Sequence, residues 1–554
     1  MGTRRKKSSA GFLMQGSILA VASIISRIIG LVYRVPLNNI IGDTGNDYYT
    51  TAFEIYNILL IISSYSLPLA VSKLVSANLS QGRRRNIYRI LKCALLFGAV
   101  TGTAAAAILY FGADFITNVI MKTPYSIFAV RVLVPVLLIV AVLGVIRGFF
   151  QGLGTMMPSA VSQILEQIAN AVVSVWAAYV LYAQGMKIGA VLGNKEQYAA
   201  AYGASGGTLG TGVGALVGLL FVIFVLIIYL KVFRRQMKKE RRGTEDTYRE
   251  ILRVLIATII PVLLSTTIYN CNALLDQALY KNIAAFQGYT AEQYGVWNGI
   301  YGMKYKTLLN VPLSIASAMA ASCVPSLTAA YSSGDIKQVK TEINMATRFI
   351  SVISFPCAVG MGVLASPILQ LLFSDSTQIA AQMLQVGAVS VIFFSLSTLS
   401  NGLLQGINRM KEPVKNAAVA LVLHLIVLAV LMFAFDLNIF AVVIANASFG
   451  LLMCLFNARS LYKYSRYRQE IKKTFLVPGV SAAVMGVAVW GCYTLLMMAL
   501  PNNAVATLIS ITVGIIVYVV LLFLLKGMTE HELLKFPKGK ALVRIAKRFH
   551  LLRK

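Results

Sequence analysis

The sequence predicts an all-α polytopic membrane protein of about fourteen transmembrane helices, arranged as two pseudo-symmetric six-helix lobes followed by two C-terminal helices. Three features carry that expectation. Of 554 residues, 58% are hydrophobic and only 13% charged, with a mean hydropathy of +0.74; a soluble domain has about 25% charged residues. The apolar residues fall in separate stretches, each long enough for a span, which needs about 20 residues. The chain also repeats itself. RGFFQGLGTMMPSAV at 147–161 matches NGLLQGINRMKEPVK at 401–415 in G-x-x-Q-G, and SQG at 80–82 and SSG at 332–334 close the second and eighth spans. Six spans separate equivalent points, and parallel repeats of this kind are a transporter architecture with the substrate path between the halves.

In order, the expected spans are 12–41, 48–78, 90–111, 126–150, 159–183 and 208–231, then 251–281, 294–329, 344–373, 378–404, 414–436 and 438–460, and finally 475–499 and 503–526. They divide the chain into a first lobe at 1–232, a basic cytoplasmic linker at 233–250, a second lobe at 251–461, helices 13 and 14 within 475–526, and a basic tail at 527–554. Odd connections are short and acidic or polar: GDTGND at 42–47, Asp375, Asp436. Even connections are basic, as in QGRRRNIYR at 81–89 and RSLYKYSRYRQEIKK at 459–473. This positive-inside pattern places both termini in the cytoplasm. The start, MGTRRKK, is basic, but the apolar run behind it is too long for a signal-peptide core and has no small-residue cleavage site.

Gly206, Gly210, Gly214 and Gly218 recur every four residues into span 6, a small-residue packing ladder. Pro68, Pro261, Pro312 and Pro356 interrupt spans, which permits bending but also occurs in rigid bundles. In the tail, Leu542, Ile545, Phe549 and Leu552 share a helical face amid basic residues. That pattern suits an amphipathic helix on anionic membrane lipids, or else a disordered basic tail.

Several chemistries are excluded. The six cysteines are scattered without CxxC spacing and read as buried thiols, and three histidines with no HExxH-type motif argue against a metal. No cofactor is called for. The formal charge of +30 sits mostly in tails and even connections, so it speaks for membrane topology and not for nucleic acid. There is no P-loop, so energy must come from a gradient, the membrane potential or consumption of the product.

The informative residues are charges inside spans, each costing about 2.5–3.5 kcal/mol at a helix centre on insertion scales. Arg27 and Arg34, seven apart, share a helix face, with Arg27 about 22 Å along the axis from residue 12. Arg27 reads as cavity-lining; Arg34 lines the cavity or snorkels outward. Lys304 and Lys306 reach mid-depth on span 8. Asp276 is their expected counter-charge and Glu54 that of Arg34, each pair being structural or functional. Lys73, near the cytoplasmic end of span 2, snorkels or faces the cavity. On span 5, Ser162, Gln163, Glu166, Gln167 and Asn170 form a polar stripe that must face protein or water. It is packing glue, or a hydrated groove in which Glu166, an unpaired-looking carboxylate, takes a proton or cation. Most intramembrane charges are positive, which suggests a cationic cavity built to receive an anion.

SRIIGLVYRVPL at 26–37, PLAVSKLVS at 68–76, RGFFQG at 147–152 and PSAVSQILEQI at 158–168 resemble the polysaccharide-biosynthesis and sporulation-type branch of the MOP exporter superfamily. That branch includes Gram-positive lipid II flippases of the MurJ type and the stage V sporulation protein B group. The resemblance covers essentially the whole chain. It implies a multi-pass protein of the bacterial cytoplasmic membrane that turns an undecaprenyl-pyrophosphate-linked glycan precursor, most simply lipid II, from the inner to the outer leaflet, with cell-wall synthesis proteins as further partners. The cationic cavity would take the pyrophosphate and sugar, and spans 13 and 14 would make a groove for the polyprenyl tail. The first-span arginine motif carries over onto Arg27, with Arg34 at the second basic position. Two departures stand out. Where the Gram-negative flippases carry an Arg shortly before a proline on span 8, the basic residues before Pro312 are Lys306 and Lys304. Where they carry an Arg-rich segment on span 2, Lys73 alone is basic. Lysine binds phosphate as a point charge without the bidentate fork. Rival readings are a flippase for another polyprenyl-linked repeat unit, a cation-coupled drug exporter of the same superfamily, which would need an acid-dominated cavity, and a membrane glycosyltransferase, which would need a catalytic acid.

Overall fold

A computed structural model describes residues 2–238, 245–525 and 527. All regular elements among them are helical. The basic tail beyond Gly527, and with it the expected amphipathic helix, lies outside the described residues. The helices are α1 (Gly2–Leu60), α2 (Leu67–Ser80), α3 (Arg84–Phe115), α4 (Ile127–Gly152), α5 (Met157–Leu192), α6 (Lys195–Lys238), α7 (Tyr248–Phe286), α8 (Ala291–Gly299), α9 (Lys306–Ser332), α10 (Ile336–Val363), α11 (Ala365–Phe373), α12 (Gln378–Gly387), α13 (Ser390–Gly406), α14 (Lys411–Phe433), α15 (Ile439–Ser465), α16 (Val477–Ala499) and α17 (Asn503–Leu524).

Among the described residues, eleven helical runs are long and apolar enough to cross a membrane, or twelve if α12 and α13, bent by 44°, count as one broken span. One run, Val21–Ser80, covers 60 residues, far more than a single crossing requires. It breaks at Gly42, whose φ of 67° is open to glycine at no steric cost. The break corrects one reading. GDTGND is not a loop: only Gly42 leaves helical geometry, and Asp43 to Asp47 already belong to the second arm of α1. A run of turn-forming residues looked like a connection, yet one left-handed glycine is all the chain uses.

The described residues form two compact units, Met1–Met303 and Lys304–Lys554. In the first, α5 and α6 make the most extensive helix pair, and the glycine ladder explains it. A Cβ at Gly206 would overlap the backbone of Ala177, and one at Gly214 would come within 2.6 Å of the Glu166 carbonyl oxygen. Small residues let backbones approach closely where apolar contact with lipid offers no drive. A second close contact sets α4 on α2: a Cβ at Gly148 would sit 2.5 Å from the Pro68 carbonyl oxygen, and at Gly152 2.6 Å from Val75 Cβ. The core of this contact is Leu67, Val71, Val75, Ile146 and Phe149, all buried.

The second unit repeats that contact. A Cβ at Gly402 would lie 2.7 Å from Ala320 Cβ, and one at Gly406 2.9 Å from Leu327 Cδ2. The glycines of the two G-x-x-Q-G motifs thus serve the same purpose, each bringing a helix against the one that SQG or SSG closes. The repeat read from sequence is a repeat of packing. Helices α16 and α17 pack on each other, α16 also on α10, with Val359 against Gly486 and the Tyr518 hydroxyl donating to the Val352 carbonyl at 2.8 Å.

Candidate functional site

In the first unit the polar stripe of α5 faces protein. Ser162 and Asn170 are buried, and Gln163, Glu166 and Gln167 half-buried. The inner arm of α1 lies along it. Ser23 Oγ donates to Gln163 Oε1 at 3.4 Å and Ser26 Oγ to the Gln163 carbonyl at 3.4 Å; one helical turn on, Gly30 faces Gln167, and Asn170 Nδ2 donates to the Tyr33 hydroxyl at 3.4 Å. Positions 23, 26, 30 and 33 are one face of α1, and Arg27 and Arg34 lie on its flank. Arg27 is exposed, whereas Arg34 is half-buried beside Tyr33, Tyr49 and Glu54. Glu54, expected as the counter-charge of Arg34, is within its electrostatic reach and half-buried. Lys73 is exposed on α2.

Glu166 is not unpaired. Arg147 Nη2 donates to its Oε2 at 2.7 Å, and Arg147 Nε to Ser162 Oγ at 2.8 Å. Charge-assisted bonds of this kind are the strong ones. Gly218, the last rung of the ladder, leaves room for the Arg147 guanidinium, whose Nη2 would stand 3.5 Å from a Cβ there. The Arg147 side chain was missed because it stands at the end of its span, in RGFFQG, where a cation is expected to reach the interface. The available signal was geometric: α4 and α5 join through a short turn after Gly152, so residues near that turn on either side meet.

The strongest buried charge in this unit was also missed. Lys281 on α7 is fully buried, and its ammonium donates to Asp47 Oδ1 at 2.7 Å, Thr51 Oγ1 at 2.9 Å and Thr123 Oγ1 at 2.6 Å. These three acceptors satisfy all three of its N–H donors. Asn298 on α8 donates to the same Asp47 oxygen at 2.6 Å. Asp47, counted with an outer loop, is 1% exposed and joins α1, α7 and α8, while Lys281 ties in the connection before α4.

In the second unit, Lys304 Nζ donates to Asp375 Oδ2 at 2.6 Å, both groups being buried. Lys304 lies in a widened helical turn over Ile300–Tyr305, and Asp375 in the connection after α11, where Thr377 donates to it through both backbone and side chain. The expected counter-charge of this lysine is Asp276; Asp375 is a carboxylate bonded to it that the sequence reading did not name as a partner. An acid in a short polar connection is free to fold back onto the helix end. Burial pushes the Asp375 carboxyl up, but the bonds from Lys304 and Thr377 outweigh it and hold the group below its ordinary 3.8. Asp276 is itself buried, and Lys306 half-buried. Where the first unit has Arg147 before G-x-x-Q-G, the second has Asn401. Asn457 Nδ2 donates to Asn401 Oδ1 at 2.8 Å, and Asn416 Nδ2 to Asn457 Oδ1 at 2.9 Å. Among the described residues no His, Cys, Asp and Glu cluster could hold a metal.

A family model described as polysaccharide biosynthesis protein matches residues 12–331, and one described as MatE matches 306–431. The lipid II flippase MurJ of Bacillus subtilis (strain 168) is 26% identical over 491 residues, covering 86% of this chain and 88% of that one. Two solved structures share the fold: a lipid II flippase MurJ in an inward closed conformation, at TM-score 0.66 and 14% identity over 91% of this chain and 97% of that one, and an inward-facing multidrug resistance MATE family transporter of the MOP superfamily, at TM-score 0.63 and 15% identity over 81% and 99%.

Proposed function

The chain belongs to the polysaccharide biosynthesis protein family of the MOP superfamily and is a membrane transporter, and from this premise we propose that it flips an undecaprenyl-pyrophosphate-linked glycan precursor, lipid II first among them, from the inner to the outer leaflet of the bacterial plasma membrane. The observation that carries the reading is the placement of SRIIGLVYR along SQILEQIAN in the first unit, with Arg27 exposed on the flank of that contact. An anionic head entering from the cytoplasm would meet Arg27 and Arg34, while its tail stays in lipid. Lys304, Lys306 and Lys73 complete the proposed cationic set. Desolvation strengthens each attraction, so release depends on no single contact being too tight.

Alternating access supplies that release: the halves rock about the site, and the head leaves outward. Glu166, Gln163, Asp276 and Glu54 are the proposed polar and coupling residues. Glu166 fits coupling because its pairing with Arg147 can be exchanged for a proton or cation. A membrane potential, inside negative, would assist inward movement of such a counter-cation. The fourteen-span count and six-plus-six lobes, with both termini cytoplasmic, are part of the same proposal.

A second reading, flipping of another polyprenyl-linked repeat unit, shares the pyrophosphate and differs only in the sugar. A drug exporter is favoured by the MatE match and disfavoured by the basic excess within the spans. The test is depletion of the resident lipid II flippase in a bacterial host that expresses this chain. Lipid II should reappear on the outer leaflet. A well-expressed chain that leaves it inside moves the second reading to first place.

A further inference from the structure

The second unit holds a groove of about 180 Å³ that none of the proposed transport residues touches. It is lined on α13 from Phe393 to Leu403 and on α15 from Leu451 to Leu461, so it runs about 15 Å along both helices. Its wall is overwhelmingly aliphatic and aromatic. It opens sideways where Leu451 and Leu455 are exposed. At one end, Thr347, Gln469 and Phe475 close it. Helix 13 of the expected scheme contributes only Phe475, from its first turn, so this groove is distinct from one made by spans 13 and 14.

That closed end is where the basic connection 459–473 begins to wrap. Arg466, Arg468 and Lys472 are exposed on either side of Gln469. Arg468 lies over the Tyr462 ring at 5.7 Å, next to Leu461 of the groove wall. The acid in this stretch is already neutralised: Glu470 accepts from Arg348 at 2.7 Å and from Asn344 at 3.2 Å, and Arg348 is buried. That end of the groove therefore carries uncompensated positive charge beside an apolar slot. Charge of that sign at the inner surface attracts anionic headgroups.

We propose that this groove binds one acyl chain of an anionic glycerophospholipid of the inner leaflet, with the phosphate held by Arg466, Arg468 and Lys472. The lipid is a resident partner of the second unit, separate from the transported substrate.

The test uses the full chain purified in detergent, incubated with phosphatidylglycerol or phosphatidylcholine of the same chain length and examined by native mass spectrometry. Phosphatidylglycerol should be retained about tenfold more. The triple variant R466Q/R468Q/K472Q should bring the two lipids to parity, and Ala458→Trp, which fills the slot, should lose both. All three cations are exposed, so the triple variant keeps its fold, checked by an unchanged Tm. Equal retention by the wild type would overturn the proposal and leave the basic connection as a topology signal only. So would a triple variant that still prefers phosphatidylglycerol, or displacement of the bound lipid by undecaprenyl phosphate, which would make the groove part of the substrate path.

Discussion

The two units use one packing frame and fill it with different chemistry. In both, the glycines of G-x-x-Q-G bring a helix against its neighbour, at Pro68 and Val75 in the first and at Ala320 and Leu327 in the second. The residue before that motif is Arg147 in the first unit, paired with Glu166, and Asn401 in the second, in a neutral amide network with Asn457 and Asn416. The two motifs share what the backbone packing needs and differ in polar content. A charged slot next to the α1 arginines suits a site that must bind an anion and respond to a proton or cation; an amide network costs less to bury and suits a frame.

The comparison breaks most visibly at the buried lysines. Lys281 and Asp47 are 0% and 2% exposed in their side chains, against 5% each for Lys304 and Asp375. Removing one partner of a buried pair costs about 3–5 kcal/mol. Lys281→Met should therefore be the most destabilising single change in the first unit, read as a lowered Tm in detergent, and adding Asp47→Leu should recover much of the loss, because replacing both charges by apolar groups is often neutral. No recovery would mean that Thr51, Thr123 and Asn298 depend on the charges for their arrangement.

If the packing frame is shared, Gly152→Leu and Gly406→Leu should cost similar amounts, about 1–3 kcal/mol each from overpacking. Unequal costs would show that only one of the two contacts is built tightly. Similar in size is Arg147→Asn, which gives the first unit the second unit's residue. Glu166 then loses a charge-assisted bond worth about 1.5–3 kcal/mol, and Glu166→Gln in the same background should restore stability. Stability should return without transport if the pair serves coupling; recovery of both would reduce it to structure.

The smallest effect is acid sensitivity in the second unit. The folded Asp375 carboxyl lies below its unfolded value of 3.8. Its contribution is therefore complete above that value and is lost as pH falls through the folded one. Unfolding followed from about pH 5 downward should show an acid limb that Asp375→Asn flattens. An unchanged limb would assign it to other carboxylates.

The helices, the repeat and the polar stripe were legible because each has a local period: apolar runs, a recurring motif, and spacing of three to four residues on one face. The long-range pairs were not. Asp47 and Lys281 are 234 residues apart, and nothing local to either announces the other. Composition misled at GDTGND, where Gly, Asp, Thr and Asn spell a turn while one glycine suffices for the break. Glu166 was found as a deep carboxylate, but its partner Arg147 stands at a span end, where a cation is normally solvated, so nothing local marks the pair. Asp375 was read as part of a connection, and that connection folds it onto Lys304.

The central claim is that the first unit's arginines receive the anionic head. It is tested most directly by reconstituting purified wild type, Arg27→Lys and Arg27→Ala into vesicles and following the movement of a labelled lipid II headgroup between leaflets. Arg27 is exposed, so its removal should leave Tm nearly unchanged, within about 0.5 kcal/mol of stability. The account predicts that Arg27→Ala falls to the rate of protein-free vesicles and that Arg27→Lys keeps part of the activity. Full transport by Arg27→Ala would contradict it.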